Sequence, residues 1–258
     1  MSDLENPDDN EPQGAALPEP TFKTERATPV ASSEGERIGG FAFFLSLAAL
    51  CPTGIILLYL AFSAVDAIDT EAFAVFSASW LVGLVLGHSV IRGHVSVYIH
   101  ESKHAIVSNL VGNKRKGMKI DANSGHFTYS YTKKTAHFNA LIALAPYILP
   151  VFTFLSALIA FALFREDHTL ATLVVGIGFG IDTALNIRDI SPIQTDINTI
   201  RGGYGVGVLY ICSWNLVIFS VILAWVFNGK AGLTQVLHHI TEAFMRFYAS
   251  LSHGSPEP

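Results

Sequence analysis

Residues 72–111 read AFAVFSASWLVGLVLGHSVIRGHVSVYIHESKHAIVSNLV, and this stretch decides the class of fold. The apolar run from Ala72 to Ile91 is long enough to cross a bilayer, because a transmembrane helix needs about 20 residues. After Gly93 the apolar character resumes and continues to Val111, but this second part also carries ionisable side chains, which are costly in lipid unless they have partners. Gly93 favours a break into two helices here, although one long bent helix also fits the pattern.

The composition of the whole chain is typical of a membrane protein. Half of the 258 residues are hydrophobic and only 14% are charged, and the apolar residues fall in long runs. The runs predict an all-α polytopic membrane protein with five or six transmembrane helices. Besides residues 72–111, these runs cover about residues 40–65, 139–164, 169–185 and 206–227.

The distribution of charge divides the chain into three regions. Residues 1–38 hold nine acidic and three basic side chains, and a segment of this kind with few large apolar residues is expected to be a disordered tail. Residues 39–230 form the expected membrane domain, which is nearly neutral, and we expect no nucleic-acid partner. Residues 231–258 carry apolar side chains at three- and four-residue spacing, which predicts an amphipathic interfacial helix and a tail.

Basic residues predict the orientation of the helices. Six Lys and Arg side chains but a single Asp lie within residues 112–137, so the positive-inside rule places this loop in the cytoplasm. Inside the loop, Gly125 to Tyr131 alternates polar and aromatic residues, which predicts a small strand element at the membrane surface. The N-terminal residues lack a secretory signal pattern, and we expect an integral protein of a bacterial inner membrane with its active site toward the cytoplasmic side.

The segment His100-Glu101-Ser102-Lys103-His104 has the H-E-x-x-H spacing of many zinc hydrolases. Residues four apart lie on one face of a helix, so the two imidazoles can reach the same metal ion. Glu101 can then reach the open position of the metal and act as general base toward a metal-activated water. The motif therefore predicts Zn²⁺ as cofactor, His100 and His104 as ligands and Glu101 as the catalytic residue.

A catalytic zinc ion usually has three protein ligands, and the best source of the third is the segment of residues 180–196. It contains Asp182, Asp189 and Asp196, which follow a glycine-containing apolar run. The predicted orientation places the end of this segment on the same side of the membrane as the loop after His104. Both halves of a metal site can therefore meet near the cytoplasmic face, with the choice among the three aspartates open.

With these features the chain resembles the site-2 protease family of intramembrane zinc metallopeptidases over about residues 95–205. The similarity rests on the H-E-x-x-H motif in an apolar helix, followed by a strand-like segment and an apolar helix start at Ala140. It rests also on Asn186 followed by Pro192 and Asp196, which are similar to a pattern of the family near a later membrane helix.

The resemblance implies a zinc-dependent intramembrane endopeptidase that cleaves transmembrane or membrane-proximal segments of a membrane protein. It ranks Asp196 first as the third ligand, Asp189 second, and Asp182 third as a buried hydrogen-bonding carboxylate, and it implies that Asn186 hydrogen-bonds the substrate strand. The expected partners are a membrane-protein substrate, the lipid bilayer and a regulatory membrane partner.

Two other functions fit parts of the same pattern. A membrane transporter or carrier would use intramembrane His and Asp side chains to bind a passing ion. A catalytically inactive relative would keep the fold and act as a scaffold or sensor. The position of Glu101 between the two histidines favours hydrolysis, and a Glu101→Gln change would keep zinc and abolish cleavage in the protease alone.

Overall fold

The computed structural model describes residue 38 and residues 41–65, 67–121 and 124–253. The predicted acidic tail lies outside the described residues except for Ile38, and so do residues 254–258. The described residues are mainly helical and also contain one β-hairpin. The elements are α1 (Phe41–Ser63), α2 (Thr70–Ser89), α3 (His94–Leu110), β1 (Lys114–Ile120), β2 (Gly125–Ser130), a 3-10 helix (Ala136–Phe138), α4 (Asn139–Ile148), α5 (Val151–Leu163), α6 (His168–Asp189), α7 (Thr195–Asn198) and α8 (Gly203–His253).

Within the described residues, four helices are long and apolar enough to cross a membrane, namely α1, α2, α6 and α8. Helices α4 and α5 meet the same criterion together although they are bent by 65°, so they supply a fifth span if they cross as a unit. The predicted all-α polytopic class is confirmed, and the protein is an integral membrane protein. Helix α3, with 17 residues, is not one of these spans.

Helices α2 and α6 pack closely because glycines line their contact. A Cβ added at Gly83 of α2 would overlap the carbonyl oxygen of Ile177, and one added at Gly87 would lie 2.7 Å from the Cβ of Ala184. A Cβ added at Gly180 of α6 would in turn lie 2.8 Å from the Cα of Gly83. Small residues at four-residue spacing let the backbones of membrane helices approach each other. This contact holds α6, which carries two of the candidate aspartates.

The chain breaks between α2 and α3, as the residues around Gly93 indicate. Helix α2 ends at Ser89, and Gly93 precedes α3 with a φ of 56°, a conformation that glycine adopts readily. Arg188 of α6 bridges the break, because its Nη1 donates to the carbonyl of Ile91 at 2.6 Å and its Nη2 donates to the hydroxyl of Ser96. The predicted break into two helices is confirmed.

Strands β1 and β2 form an antiparallel hairpin after α3, with Met118 opposite Phe127. Gly112, at a φ of 84°, lies between α3 and the hairpin. The strand predicted within residues 125–131 is β2. Its partner β1 is not evident from the sequence, because its basic side chains do not alternate with apolar ones. All four basic side chains of β1 are exposed.

The apolar run of residues 139–164 does not form one straight helix. It bends by 65° between α4 and α5, where Pro150 precedes α5. Proline has no N–H, so the carbonyl of Pro146, four residues earlier, loses its helical partner. Lys103 of α3 supplies the missing donor, since its Nζ lies 3.1 Å from the Pro146 oxygen.

Asp182 of α6 accepts hydrogen bonds from the other side of this bend, the start of α5. Its Oδ2 accepts from the backbone N–H of Thr153 at 2.7 Å and from the Thr153 hydroxyl at 2.9 Å, as a capping carboxylate does at the start of a helix. Lys103 Nζ lies 3.3 Å from Asp182 Oδ1, and both side chains are 3% exposed. The cation lies at the C-terminal end of α4 and the anion at the N-terminal end of α5, the favourable end for each charge. One buried ion pair thus caps both helices and attaches them to α3 and α6.

Helix α8 is interrupted at Asn228 and Gly229, which have non-helical backbone angles. The part before the interruption contains the last predicted membrane run, residues 206–227. The part after it coincides with the predicted amphipathic helix and extends to His253. Its position at a membrane interface stays a prediction.

Candidate metal centre

Helix α3 presents His100 and His104 toward Asp196, which lies in α7. His100 Nε2 and His104 Nε2 each lie 3.3 Å from Asp196 Oδ2. One ligand atom from each of the three residues lies within 4.8 Å of the others, and they form the group found among the described residues that could hold a metal ion. The structure therefore brings together the ligand set that the sequence ranks first.

The segment that carries Asp196 is held by its neighbours. Ile197 is fully buried in the core. The backbone of Ile38 pairs with the residues that follow α7. The Ile38 N–H donates to the Thr199 carbonyl at 2.8 Å, and the Ile38 carbonyl accepts from the Arg201 N–H at 2.7 Å. Burial and backbone pairing together give the four-residue helix α7 a fixed place beside α3.

The second nitrogen of each histidine has its own acceptor. His104 Nδ1 lies 2.6 Å from the carbonyl oxygen of Ile142, and His100 Nδ1 lies 3.2 Å from Asp189 Oδ2. A carbonyl oxygen and a carboxylate can only accept, so Nδ1 must be the protonated nitrogen of each ring. In a neutral ring this tautomer leaves the lone pair on Nε2, the atom that faces Asp196. Such a hydrogen bond on the far side of a ligating imidazole is the usual support of a metal site.

This geometry separates the roles of the two aspartates that ranked first and second. Asp189 faces the Nδ1 edge of His100, whereas Asp196 faces the Nε2 edges of both rings. Burial alone would raise the pKa of the Asp196 carboxyl, but in the metal-free protein hydrogen bonds and charge from the protonated rings of His100 and His104 outweigh burial and hold its pKa well below the usual range. The carboxyl group is therefore ionised at neutral pH, as a metal ligand must be.

The donor set fits zinc. Two imidazole nitrogens and one carboxylate oxygen are common zinc ligands in hydrolases, where a fourth position is left open. Ligand atoms at about 2.0–2.1 Å from a tetrahedral ion are separated by about 3.3 Å from each other. The distances from Asp196 Oδ2 to His100 Nε2 and to His104 Nε2 are both 3.3 Å, so two of the three separations match this spacing, and all three ligand atoms lie within 4.8 Å of one another.

Glu101 lies against the first residue of β2. Glu101 is only 6% exposed, and a Cβ added at Gly125 would lie 2.5 Å from its Oε1 and 2.7 Å from Val97 Cγ1. Only a residue without a side chain fits between the strand and the motif helix. The beginning of β2 is therefore in direct contact with the predicted catalytic carboxylate.

Asp182, the third-ranked candidate, is not part of the group formed by the histidines and Asp196. Its two oxygens accept hydrogen bonds from Lys103 and Thr153, so Asp182 is a buried hydrogen-bonding carboxylate, as predicted for the third-ranked candidate. The sequence analysis gives Lys103 no role in the site. A Lys within an apolar helix signals a buried acidic partner, but the sequence does not indicate which of the aspartates is that partner.

Asn186, predicted to bind substrate, lies on α6 and is half-buried. Its Nδ2 donates to Asn215 Oδ1 at 3.2 Å, and Asn215 Nδ2 donates to the carbonyl of Tyr147 at 2.9 Å. The side-chain oxygen of Asn186 is buried and has no hydrogen-bond partner among the described residues. This oxygen is thus an acceptor without a donor. The role of Asn186 toward substrate stays a prediction.

Fold and site together define a class of protein, a polytopic membrane protein with a His, His and Asp group beside a buried glutamate. A protein-family model described as Peptidase M50B-like matches residues 70–247, a range that includes all four of these side chains. The chain belongs to this family and hence to the site-2 protease family. Neither the curated proteins nor the solved structures give a match.

Proposed function

We propose that the protein is a zinc-dependent intramembrane endopeptidase, with His100, His104 and Asp196 as zinc ligands and Glu101 as the catalytic residue. The observation that carries the proposal is the convergence of both imidazole Nε2 atoms on one oxygen of Asp196, at 3.3 Å each, next to a buried glutamate. Membership of a peptidase family supports the same reading.

The ligands are presented in the form that a metal requires. Asp189 and the Ile142 carbonyl hold the Nδ1–H groups of the two rings, so Nε2 of each ring is the nitrogen that would lose its proton and bind a metal ion. Zinc bound there would supply a Lewis acid that polarises a carbonyl and lowers the pKa of a coordinated water to about 7.

Glu101 carries the proton in the proposed reaction. Its carboxylate takes a proton from the attacking water as the water oxygen bonds to the carbonyl carbon of the scissile peptide. The protonated Glu101 then gives this proton to the amine nitrogen as the C–N bond breaks, leaving a carboxylic acid, which keeps the second proton of the water, and an amine. General acid-base transfer of this kind contributes typically about 10² to 10⁴ to the rate.

The proposed substrates are transmembrane or membrane-proximal segments of other membrane proteins. A helix in lipid has its peptide groups bonded internally, so a substrate segment must unwind before its carbonyl is attacked. Strand β2 pairs with β1 along one edge, and an unwound segment can pair with its other edge. Because Gly125 starts β2 against Glu101, this pairing would bring the substrate backbone to the catalytic carboxylate, with Asn186 as a further hydrogen-bonding residue.

The test uses purified protein in detergent with fluorescein-labelled casein, an unfolded probe that needs no unwinding. We expect cleavage by the wild type that stops on chelation and returns with added zinc. Glu101→Gln should keep its zinc and lose cleavage by about 10² or more. Glu71→Gln, a change of an exposed glutamate at the start of α2, should behave as wild type. Cleavage that survives Glu101→Gln would contradict the proposal, and zinc binding without any cleavage would favour the carrier or the scaffold.

A further inference from the structure

Tyr147 of α4 lies directly beside the histidine group. Its side chain is fully buried, and its ring packs edge-to-face on the ring of His100, with centroids 5.6 Å apart and an interplanar angle of 86°. Its backbone carbonyl accepts from Asn215 Nδ2 at 2.9 Å. Contacts therefore fix the residue at its ring and at its backbone carbonyl.

The Tyr147 hydroxyl is a buried donor without an acceptor. It is sealed from solvent and has no hydrogen-bond partner among the described residues. A buried hydroxyl in this state costs free energy that a phenylalanine would avoid, and such a group calls for an explanation such as a role at a functional site. Tyr147 and Asp196 contact the same imidazole, since the Tyr147 ring packs on His100 and Asp196 Oδ2 lies 3.3 Å from His100 Nε2.

The three candidate ligands differ in the hydrogen-bond partners that hold them in place. His100 has the carboxylate of Asp189 behind it, and His104 has the carbonyl of Ile142. The contacts of the Asp196 carboxylate within the described part of the chain go to the two histidines themselves. Once a metal ion takes the histidine nitrogens, Asp196 is left as the ligand without a supporting hydrogen bond, although ligating carboxylates usually have one.

We propose that Tyr147 is a positioning residue of the metal centre, and that its hydroxyl donates a hydrogen bond to the Asp196 carboxylate when a metal ion is bound. The inference rests on the proposed function, because it takes Asp196 as the third ligand. It pairs a buried donor that lacks an acceptor and packs on a ligand ring with the proposed ligand whose side-chain contacts within the described residues go to the histidines alone. Tyr147 acts through Asp196 and does not touch the substrate.

The test is Tyr147→Phe, which removes the hydroxyl and keeps the ring packing on His100. Zinc affinity, measured by competition with a chromogenic chelator, should fall by about 10- to 100-fold, the usual effect of removing an outer hydrogen bond at a metal site. The visible spectrum of the cobalt-loaded protein should also shift. Tyr210→Phe is the matched control, since Tyr210 is also buried, at 5% exposed, but packs on Phe43, and the zinc affinity of this variant should equal that of the wild type.

Thermal unfolding of the metal-free proteins separates positioning from general damage. Tyr147→Phe should unfold at or above the wild-type temperature, because the hydroxyl has no partner to lose. Unchanged zinc affinity and an unchanged cobalt spectrum in Tyr147→Phe would overturn the inference even if the wild type cleaves casein. Weaker zinc binding in a protein that cleaves nothing would support the inference and count against the peptidase alone. A wild type that binds no zinc would overturn both.

Discussion

At the scale of single residues, the site is determined by which edge of each imidazole ring meets which acceptor. The H-E-x-x-H spacing fixes that two histidines share a helix face, but it does not fix their tautomers. The Ile142 carbonyl and the Asp189 carboxylate do this, because neither can donate. Asp189 therefore faces the Nδ1 edge of His100, whereas Asp196 belongs to the group that could hold a metal ion.

Asp189→Ala is expected to weaken zinc binding by about 10- to 100-fold without abolishing it, because it removes the acceptor of the His100 Nδ1–H group and leaves the ligands in place. Chelator competition measures the effect. Asp121→Ala, a change at an exposed aspartate in the hairpin turn, should have none. Complete loss of zinc in Asp189→Ala would instead make Asp189 the ligand.

Gly125→Ala is expected to lower casein cleavage by about 10²-fold with zinc content unchanged. The added Cβ would lie 2.5 Å from Glu101 Oε1, so the carboxylate or the strand must move by about 1 Å, and displacements of this size can cost about 10² in rate. The matched control is Gly117→Ala on β1, where an added Cβ meets nothing within 4 Å. Equal activity of the two variants would show that the start of β2 does not act on Glu101.

At the scale of secondary-structure elements, the bend between α4 and α5 depends on a charge pair from two other helices. Pro150 removes one backbone donor, and the start of α5 lacks a capping side chain of its own. Lys103 and Asp182 replace both, so backbone groups freed inside a membrane domain stay bonded within the protein. Since Lys103 lies between the two histidines in sequence, the same pair joins the motif helix to the bend.

Lys103→Met is expected to lower the free energy of unfolding by about 3–5 kcal/mol, because it leaves Asp182 as an uncompensated buried charge. A second change, Asp182→Asn, should restore part of the loss, since an amide oxygen still accepts from Thr153 but carries no charge. Denaturant unfolding of the metal-free protein in detergent measures both. Lys116→Met on the exposed face of β1 is the control, and a double variant as unstable as the sum of the single changes would contradict the coupling.

Sequence predicts those features that depend on neighbouring residues. Gly93 predicts the helix break. The four-residue spacing predicts that the two histidines share a helix face, and the alternation of polar and aromatic residues predicts β2. The bend at Pro150 depends on partners that lie far away in sequence, as does the choice of Asp182 for Lys103. No local pattern reports such pairings, and for the same reason the sequence ranks Asp189 and Asp196 without separating their positions around His100.

At the scale of the whole molecule, the orientation of the helices in the membrane is a prediction from the basic residues. The hairpin contacts Glu101 at Gly125, and α7 places Asp196 beside His100 and His104. The basic residues of β1 are exposed, as expected for a cytoplasmic face. The loop between α5 and α6, with Arg165 63% exposed, is separated from the hairpin by the bent pair α4 and α5. If that pair crosses the membrane as a unit, Arg165 lies on the opposite side.

Cysteine labelling tests this orientation in a background without Cys51 and Cys212. In intact bacterial cells that express the protein, an impermeant maleimide should label Arg165→Cys and leave Lys116→Cys unlabelled. Inverted membrane vesicles should give the reverse. Labelling of both positions from one side would mean that α4 and α5 form a re-entrant loop, and labelling of Lys116→Cys alone in intact cells would invert the proposed topology.

The most direct test of the central claim is the zinc content of the purified protein and its variants, measured by mass spectrometry of the metal. We expect one zinc ion per chain in the wild type and in Glu101→Gln, and essentially none in His100→Ala, His104→Ala and Asp196→Ala. Zinc retained by Asp196→Ala, or no zinc in a wild type purified with the metal present, would contradict the claim.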